Sequence, residues 1–453
     1  MNITWAIGMP TGNENGRFLT LDLGGTNLRV CWVTLHGAGK HNMQQNSYKL
    51  PDELKHGDAE PLWSFVAESL EEFLKEHNLA NEKEIPFAFT FSYPVTQHYI
   101  DNGILQRWTK GFDIDGVEGK DAAEQLWQAM QKRVCRSLDR QSSTMFSSVF
   151  SQRTRKSDLS QNLPLRLIAL VNDTVGALVS SAYTDSLVAI GGIFGTGCNA
   201  AYMEDCGSIP KLPLSSHPSL EPSTPMAINC EYGAFFGALS DGSSVLPRTK
   251  YDILIDEASP KPGQQTFEKL SAGLYLGEIF RVVLLDLYEQ GLVFQQQDVS
   301  KLREPYVMDT SFLSFIEDDE SRKLARTADK WRDEFGIRVT EPELELQRRL
   351  AELVATRAAR LCTCGVAAIC RKKGIQRAHV AADGSVANKH PKFKARWAEA
   401  LGQILEWEGR KEDGEDPISL ISAEDGSGVG AAIIAAMTME RAAKGDKEGT
   451  RGE

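Results

Sequence analysis

The chain reads as an α/β protein of two lobes, on three observations. Its 453 residues exceed the roughly 250 to 300 at which single hydrophobic cores stop growing. Each half opens on a strand, a glycine turn and a second strand: L-D-L-G-G-T-N-L-R-V from Leu21 to Val30, and F-G-T-G-C-N-A-A-Y from Phe194 to Tyr202. In both halves, apolar strands end in small polar or acidic residues and pass into helices, as in L-I-A-L-V-N-D-T and A-A-D-G-S-V. A theme repeated in this way implies internal duplication of one lobe.

The first turn organises the elements around it. Phe18 to Leu21 and Val30 to Val33 read as strands, so the glycine pair sits at a tight hairpin. Gly24 and Gly25 remove Cβ atoms that would block an anion, and successive backbone N–H groups in such a turn form a concave site for phosphate oxygens. Thr26 and Asn27 add short polar donors, Arg29 a planar cation, and Asp22 a carboxylate able to hold a Mg²⁺-bound water. Pro61 to Leu79 carries Leu62, Phe65, Val66, Leu70, Phe73 and Leu74 at helical spacing, a packing helix. Pro86 to Ser92 is a strand whose end, Ser92-Tyr93-Pro94, lies where α/β folds gather ligand residues. Ile104 to Phe112 is a compact turn of polar and aromatic side chains, and Asp121 to Lys132 is a helix. Arg133 to Asn162, rich in serine and arginine and without periodicity, reads as a disordered surface insertion. Leu165 to Val171 is a buried strand that delivers Asn172 and Asp173 to a helix over Thr174 to Ser181. An aspartate there serves either as the helix N-cap or as a ligand-facing carboxylate.

In the second half, Val188 to Phe194 is a strand, Gly195, Thr196 and Gly197 form the second turn with Cys198 and Asn199, and Ala200 to Met203 resumes as strand. Ile228 to Phe235 follows, then Pro262 to Glu278, whose pattern continues as one long helix to Leu292. Leu344 to Lys373 is another long helix. His379 to Asp383 is a strand ending in Asp383, Gly384 and Ser385, and a second D-G-S, Asp425, Gly426 and Ser427, opens the final helix. Both triplets read either as adenosine or phosphate contacts or as plain helix starts.

Composition narrows the function. A formal net charge of -12 opposes nonspecific binding to nucleic acid or an anionic membrane. None of the eight cysteines forms a C-x-x-C pair, which argues against zinc and for reduced thiols. The start M-N-I-T-W-A-I-G-M-P has no basic leader, and no run of about 20 apolar residues occurs, so a cytoplasmic protein without membrane insertion is expected. Association with the mitochondrial surface is compatible with this. The Walker A pattern and the protein-kinase H-R-D and D-F-G motifs are absent, so a nucleotide site here is of another kind.

Taken in order, L-D-L-G-G-T-N-L-R-V, F-T-F-S-Y-P, L-Q-R-W-T-K-G-F, V-N-D-T-V-G, F-G-T-G-C-N-A-A-Y, I-N-C-E-Y-G-A-F, P-G-Q-Q-T-F-E-K, A-A-D-G-S-V and A-E-D-G-S-G-V-G resemble the fungal hexokinases, from Arg17 to Met437. The resemblance implies a two-lobed actin-like ATPase (ribonuclease H-like) fold, each lobe a βββαβα sheet, with the active site in the inter-lobe cleft. It implies lobes over 1–184 and 185–440, a last helix that returns to the first lobe, and a flexible tail over 441–453. Family members carry a further N-terminal segment, largely helical, which leaves the oligomer open between monomer and homodimer. By motif position, Ser92, Thr109, Lys110, Asn172, Asp173, Asn199, Glu231, Gln265 and Glu268 are the expected sugar ligands. Asp22, Gly24, Gly25, Thr26, Asn27 and Arg29 form the expected first phosphate segment, Gly195, Thr196 and Gly197 the second, and Asp383, Gly384, Ser385, Gly426 and Ser427 the adenosine region. The cofactors implied are ATP and Mg²⁺, the metal carried by ATP and reached by Asp22 through water.

Physical chemistry agrees with the assignment. A hexose exposes only hydroxyls, each both donor and acceptor, so a selective pocket needs carboxylates and amides such as Asp173, Glu231, Glu268, Asn172 and Asn199. The expected activity is ATP-dependent phosphorylation of glucose, with fructose and mannose besides, at the 6-hydroxyl, the first step of glycolysis. Asp173 is the expected general base, with Lys110 and Arg29 balancing charge. The rival expectation is a catalytically weak sugar-binding regulator.

Overall fold

The structure, a computed structural model, describes residues 1–451 apart from 80–81, 83, 143–163, 408–415 and 424. Along the first half run β1 (Asn2–Ile7), β2 (Asn15–Leu23), β3 (Asn27–Gly37), β4 (Lys40–Lys49), α1 (Ala59–Glu76), β5 (Ile85–Phe91), α2 (Ala122–Ser142), β6 (Leu165–Val171) and α3 (Asp173–Thr184). Then come β7 (Val188–Phe194), β8 (Cys198–Asp205), β9 (Pro225–Asn229), α4 (Lys250–Ala258), α5 (Thr266–Ser271), α6 (Gly273–Glu289), α7 (Thr310–Glu317), α8 (Ala325–Phe335) and α9 (Glu341–Lys373). The chain closes with β10 (Ala378–Asp383), α10 (Ser385–Lys389), α11 (Phe393–Leu405), β11 (Ile418–Ser422) and α12 (Gly426–Ala443).

A five-stranded sheet has the order β6-β5-β2-β3-β4, and a six-stranded sheet the order β1-β9-β8-β7-β10-β11. Apart from the added edge strand β1, the two orders are the same. The first strand lies at the centre, two hairpin-linked strands extend to one side, and two later strands lie on the other. In the first sheet, β2, β3 and β4 pair antiparallel, while β5 pairs parallel with β2 and β6. In the second, β8 pairs antiparallel with β9 and β10 pairs parallel with β11.

The residues group into two compact units. The first holds Met1–Gly191, Ala201–Asn229 and Ala423–Glu453, and the second Gly192–Ala200 and Cys230–Ser422. This division differs from a single boundary at 184/185 in placing Ala201–Asn229 with the first unit, while α12 packs, as expected of the last helix, on α3 and on β2, β5 and β6 of that unit. Residues 444–451, expected as a flexible tail, are held: Ile100 N donates to Gly449 O (2.7 Å), Arg451 Nη2 to Asp121 Oδ2 (2.8 Å), and Glu448 meets His217 Nδ1 (3.0 Å).

Two further differences have physical causes. α2 continues through Ser142 rather than ending at Lys132, and the rest of the expected insertion, 143–162, lies outside the described residues. The expected single helix to Leu292 is two helices, because Ala272 is extended (φ -89°, ψ 149°). The break turns Gly273 N–H toward Gly195 O, a 2.7 Å bond that ties the helix start to the second glycine turn. β4, K-H-N-M-Q-Q-N-S-Y-K, is a polar edge strand with little apolar alternation, so only its pairing with β3 defines it.

The first core packs Leu19, Leu21, Leu23 and Val30 against α1 and the aromatic run Phe87, Phe89 and Phe91. In the second unit, Phe280, Phe294, Phe312 and Trp331 centre a helical core. α9 has the length and apolarity to cross a membrane (mean hydropathy 1.5 over 18 residues), yet 61% of that window is buried inside the protein, as in a core helix.

Two predictions come from this packing. A Cβ built on Gly430 of α12 would lie 2.1 Å from the carbonyl oxygen of Gly176 in α3, so Gly430→Ala must force the helices apart. Its unfolding free energy in urea is expected to fall by about 3 kcal/mol, the upper end for overpacking. Glu317 ties α7 to α11 through a bidentate pair with Arg396 (3.0 and 2.6 Å). Burial alone would raise its pKa, but the bonds and charge from His390 and Arg396 outweigh burial and hold it at about 2. A carboxyl depressed in the folded state stabilises above its unfolded pKa and loses that stabilisation as pH falls through the folded value. The stability gap between wild type and Glu317→Gln should therefore be constant above about pH 5 and shrink by about 3 kcal/mol down to pH 2, as read by denaturant titration at each pH.

Candidate functional site

In the first unit, the β2–β3 register sets Asp22 directly opposite Arg29. Arg29 Nε donates to Asp22 Oδ2 (3.0 Å), Ser427 Oγ donates to the same oxygen (2.8 Å), and Arg29 Nη2 donates to Ser427 Oγ (2.6 Å). Thr90 Oγ1, from β5, donates to Ser427 O (2.8 Å), fixing the start of α12 on this cluster. Gly24 to Asn27 close the hairpin beside it, with Gly24 N donating to Asn27 O (3.2 Å). Lys110 lies against that turn, since a Cβ on Gly25 would meet Lys110 Cβ at 3.6 Å. Its Nζ donates to Ser92 O (2.8 Å) and stands 3.4 Å from Asp173 Oδ2. Thr109 precedes it on the same loop.

The start of α3 shows what holds each oxygen of the Asp173 carboxylate. The N-cap is Asn172, whose Oδ1 accepts from Thr174 N (3.0 Å). Asp173 is the first helical residue. Its Oδ1 accepts from Thr174 N (2.8 Å), which leaves Oδ2 directed toward Lys110.

The second unit brings its own set together. Gly195 N donates to Gly197 O (3.0 Å), and the turn lies against the D-G-S segment, a Cβ on Gly195 standing 3.0 Å from Gly384 Cα. Gly384 has φ +114°, and its own Cβ would fall 2.5 Å from Phe194 O, so only glycine fits there. Asp383 Oδ1 accepts from Gly384 N (2.6 Å), and Ser385 begins α10. Beyond the turn, Asn199 Oδ1 accepts from Glu231 N (2.8 Å) and its Nδ2 donates to Glu231 Oε1 (3.2 Å). Glu268 Oε2 accepts from Cys198 N (3.1 Å). Gln265, just before α5, has a buried Oε1 with no hydrogen bond, an acceptor suited to a ligand hydroxyl.

Three of the expected sugar ligands have left-handed backbones: Lys110 (φ 58°), Glu231 (φ 52°) and Gln265 (φ 52°). Such conformations are strained for residues with a Cβ and gather at functional sites. Gly426 and Ser427, expected beside Asp383 in an adenosine region, belong to the first unit, where Ser427 completes the Asp22–Arg29 cluster.

Comparison with known proteins places the chain. Two hexokinase family patterns match, one over residues 1–183 and the other over residues 189–437. The chain belongs to the hexokinase family. It is 51% identical to the hexokinase of Emericella nidulans over 100% of this chain and 85% of that one. To Hexokinase-1 of Saccharomyces cerevisiae it is 47% identical, over 99% and 86%. The solved hexokinase of Schistosoma mansoni, complexed with glucose, superposes with a TM-score of 0.80 at 33% identity, covering 96% of this chain and 88% of that one. The protein is thus a hexokinase of the fungal kind with the actin-like ATPase fold, an enzyme of ATP-dependent phosphoryl transfer to a hexose, a reaction that uses a divalent cation.

The hexokinase site also contains residues that the motifs did not single out. Thr90 is an inward-facing strand residue, and Tyr93 belongs to the Ser92-Tyr93-Pro94 strand end expected to gather ligand residues, though the sequence assigns it no role of its own. Tyr232 is half-buried with its hydroxyl accepting from Cys198 Sγ (3.1 Å) and donating to Cys362 O (3.3 Å), a brace behind the second turn. The signal in each case was adjacency in sequence to an assigned residue.

Proposed function

We propose that this hexokinase phosphorylates glucose, and fructose and mannose besides, at the 6-hydroxyl, the first step of glycolysis, with Asp173 as general base. The supporting observation is the start of α3. Asn172 Oδ1 and Asp173 Oδ1 both accept from Thr174 N–H, so capping engages only one oxygen of the Asp173 carboxylate and leaves Oδ2 beside the Lys110 ammonium. A carboxylate so placed accepts the hydroxyl proton as the oxygen attacks, and Lys110 keeps it oriented. Ser92, Thr109, Asn172, Asn199, Glu231, Gln265 and Glu268 are the proposed hydroxyl partners. Paired carboxylates and amides reject ligands that lack those hydroxyls, because their buried polar atoms would be left unpaired.

The Gly24 to Asn27 turn and the Gly195 to Gly197 turn are the proposed phosphate segments, with Arg29 balancing charge on transfer. Asp383 to Ser385 are the proposed adenosine-side contacts. Asp22 fits a role toward Mg²⁺: Oδ2 is held by Arg29 and Ser427, while Oδ1 is buried without a hydrogen bond and can accept from a metal-bound water. Mg²⁺ bound with ATP would neutralise phosphate charge. The enzyme is placed in the cytosol, in keeping with the seven described cysteines being free thiols.

Asp173→Asn keeps the shape and the Thr174 bond but cannot accept the proton. Its turnover with glucose in a coupled assay is expected to fall by about 10² to 10⁴, the range for loss of general base catalysis, while glucose affinity changes much less. Near-normal turnover in a folded variant would remove the base assignment, and assays with fructose and mannose would check the substrate range.

A further inference from the structure

We propose that Tyr93 is a positioning residue for phosphoryl transfer, seating the Lys110 ammonium on its ring and anchoring the first glycine turn through its hydroxyl. The inference rests on the reading of Lys110 and of Gly24 and Gly25 as parts of the hexokinase site.

The ring itself cannot turn freely. Tyr93 is 1% exposed and packs edge-on to Trp108 (centroids 4.8 Å, 88°), against Phe112 (5.3 Å, 66°) and against Phe91 (4.9 Å). Trp108 and Phe112 stack on each other (5.3 Å, 25°), and these are the residues that flank the Thr109-Lys110-Gly111 loop. Aromatic groups so interlocked have one arrangement, and it presents the Tyr93 ring to Lys110.

Lys110 Nζ lies 5.5 Å from the Tyr93 centroid, within cation–π range, while it bonds Ser92 O and approaches Asp173 Oδ2. The Lys110 backbone is left-handed, a conformation that persists only where its surroundings over-determine it. The ring supplies one such determinant at the side-chain end, and the Ser92 carbonyl another.

The hydroxyl acts on the other part. Tyr93 Oη donates to Gly24 O (3.3 Å). In a trans peptide the carbonyl of one residue and the N–H of the next point in opposite directions. Anchoring the Gly24 carbonyl toward Tyr93 therefore turns the Gly25 N–H the other way, which sets the donor direction of the phosphate turn. Burial, and then the nearby Asp22 and Asp173 carboxylates, push the Tyr93 hydroxyl well above its ordinary pKa, so it remains a donor. One side chain thus links the turn that takes phosphate to the cation beside the base.

Tyr93→Phe and Tyr93→Leu separate the two links in steady-state assays with glucose and Mg-ATP, with melting temperatures taken alongside. In Tyr93→Phe the KM for ATP should rise about five-fold, the worth of one neutral hydrogen bond, with kcat and the KM for glucose unchanged. Tyr93→Leu should show the same rise in the KM for ATP and a further fall in kcat of about ten-fold, from loss of the ring under Lys110. Retention of wild-type kcat by Tyr93→Phe is then the conservative rescue of the ring. A merely structural tyrosine would lower the melting temperature of both variants without this split. An unchanged KM for ATP in Tyr93→Phe overturns the proposal, as does a folded Tyr93→Leu with the kcat of Tyr93→Phe. Should Tyr93→Leu not fold, Tyr93→Met replaces it, and Tyr93→Phe decides alone if neither folds. A wild-type chain inactive on every hexose would overturn the underlying reading together with the inference, whereas an active wild type with indifferent variants would overturn the inference alone.

Discussion

The close crossing of α3 and α12 is the constraint on which the first half of the site depends. Gly176 and Gly430 touch backbone to backbone, and Gly426 sits on Ala177 with no room for a Cβ. At such a distance the start of α12 reaches the first sheet, and Ser427 comes within hydrogen-bond distance of Asp22 and Arg29, some 400 residues away in sequence. The cross-strand pair alone would be a partly exposed ion pair, of the kind worth little. Ser427 adds a third bond to the same oxygen, and Asp22 ends 5% exposed. The crossing also packs the beginning of α3, where Asn172 and Asp173 stand, against α12. The final helix is thus part of the site and not only its cover.

The strained backbones obey the same logic of over-determination. A left-handed residue with a Cβ costs on the order of 1 kcal/mol or more, so something must hold it. Glu231 is held at both ends by one amide, its N–H on Asn199 Oδ1 and its carboxylate on Asn199 Nδ2. Gln265 follows a loop clamped by the buried Lys269, whose Nζ donates to Asp256 Oδ1, Ser259 Oγ and Lys261 O. Glycine would relieve the strain at each position but would supply no side chain. The structure keeps the side chains and stabilises them from behind.

Much of this was legible in sequence because it is local. Glycine turns, apolar strands and the residues at strand ends announce themselves within ten residues, and β2, β5, β6, β7 and β10 fall where their patterns put them. Asp173 was legible as a candidate, but that Asn172 and Asp173 share the Thr174 N–H while Asp173 Oδ2 faces Lys110 depends on side-chain geometry, and composition is silent on that. Long-range placements were the ones missed. Ser427 reads like a nucleotide contact because D-G-S recurs at Asp383, and its bonds to Asp22 and Arg29 arise from helix packing that the local pattern does not show. The polar strand β4 exists because β3 offers it an edge, and the pattern over Pro262 to Leu292 hides its break because Ala272 is a good helix former held out of helix by the Gly273–Gly195 bond.

The matching strand orders show how a duplicated frame takes on two chemistries. In each sheet the central strand, β2 or β7, runs into a glycine turn, and the end of the neighbouring strand, β5 or β10, stands beside it. In the first sheet that neighbour delivers Ser92 and Tyr93, and a tyrosine hydroxyl reaches the Gly24 carbonyl. In the second it delivers Asp383 and Gly384, and Gly384 meets the turn at backbone distance, with a positive φ and no space for a side chain. One turn is supported by a side chain that leaves room for Lys110 and charged partners. The other is closed against a glycine, with the neutral Cys198 and Asn199 following it where Asp22 and Arg29 flank the first. The Asp22–Arg29 ion pair therefore flanks only the first turn, while a neutral thiol and amide follow the second. The asymmetry thus lies in the side chains at equivalent points of one topology and not in a difference of fold.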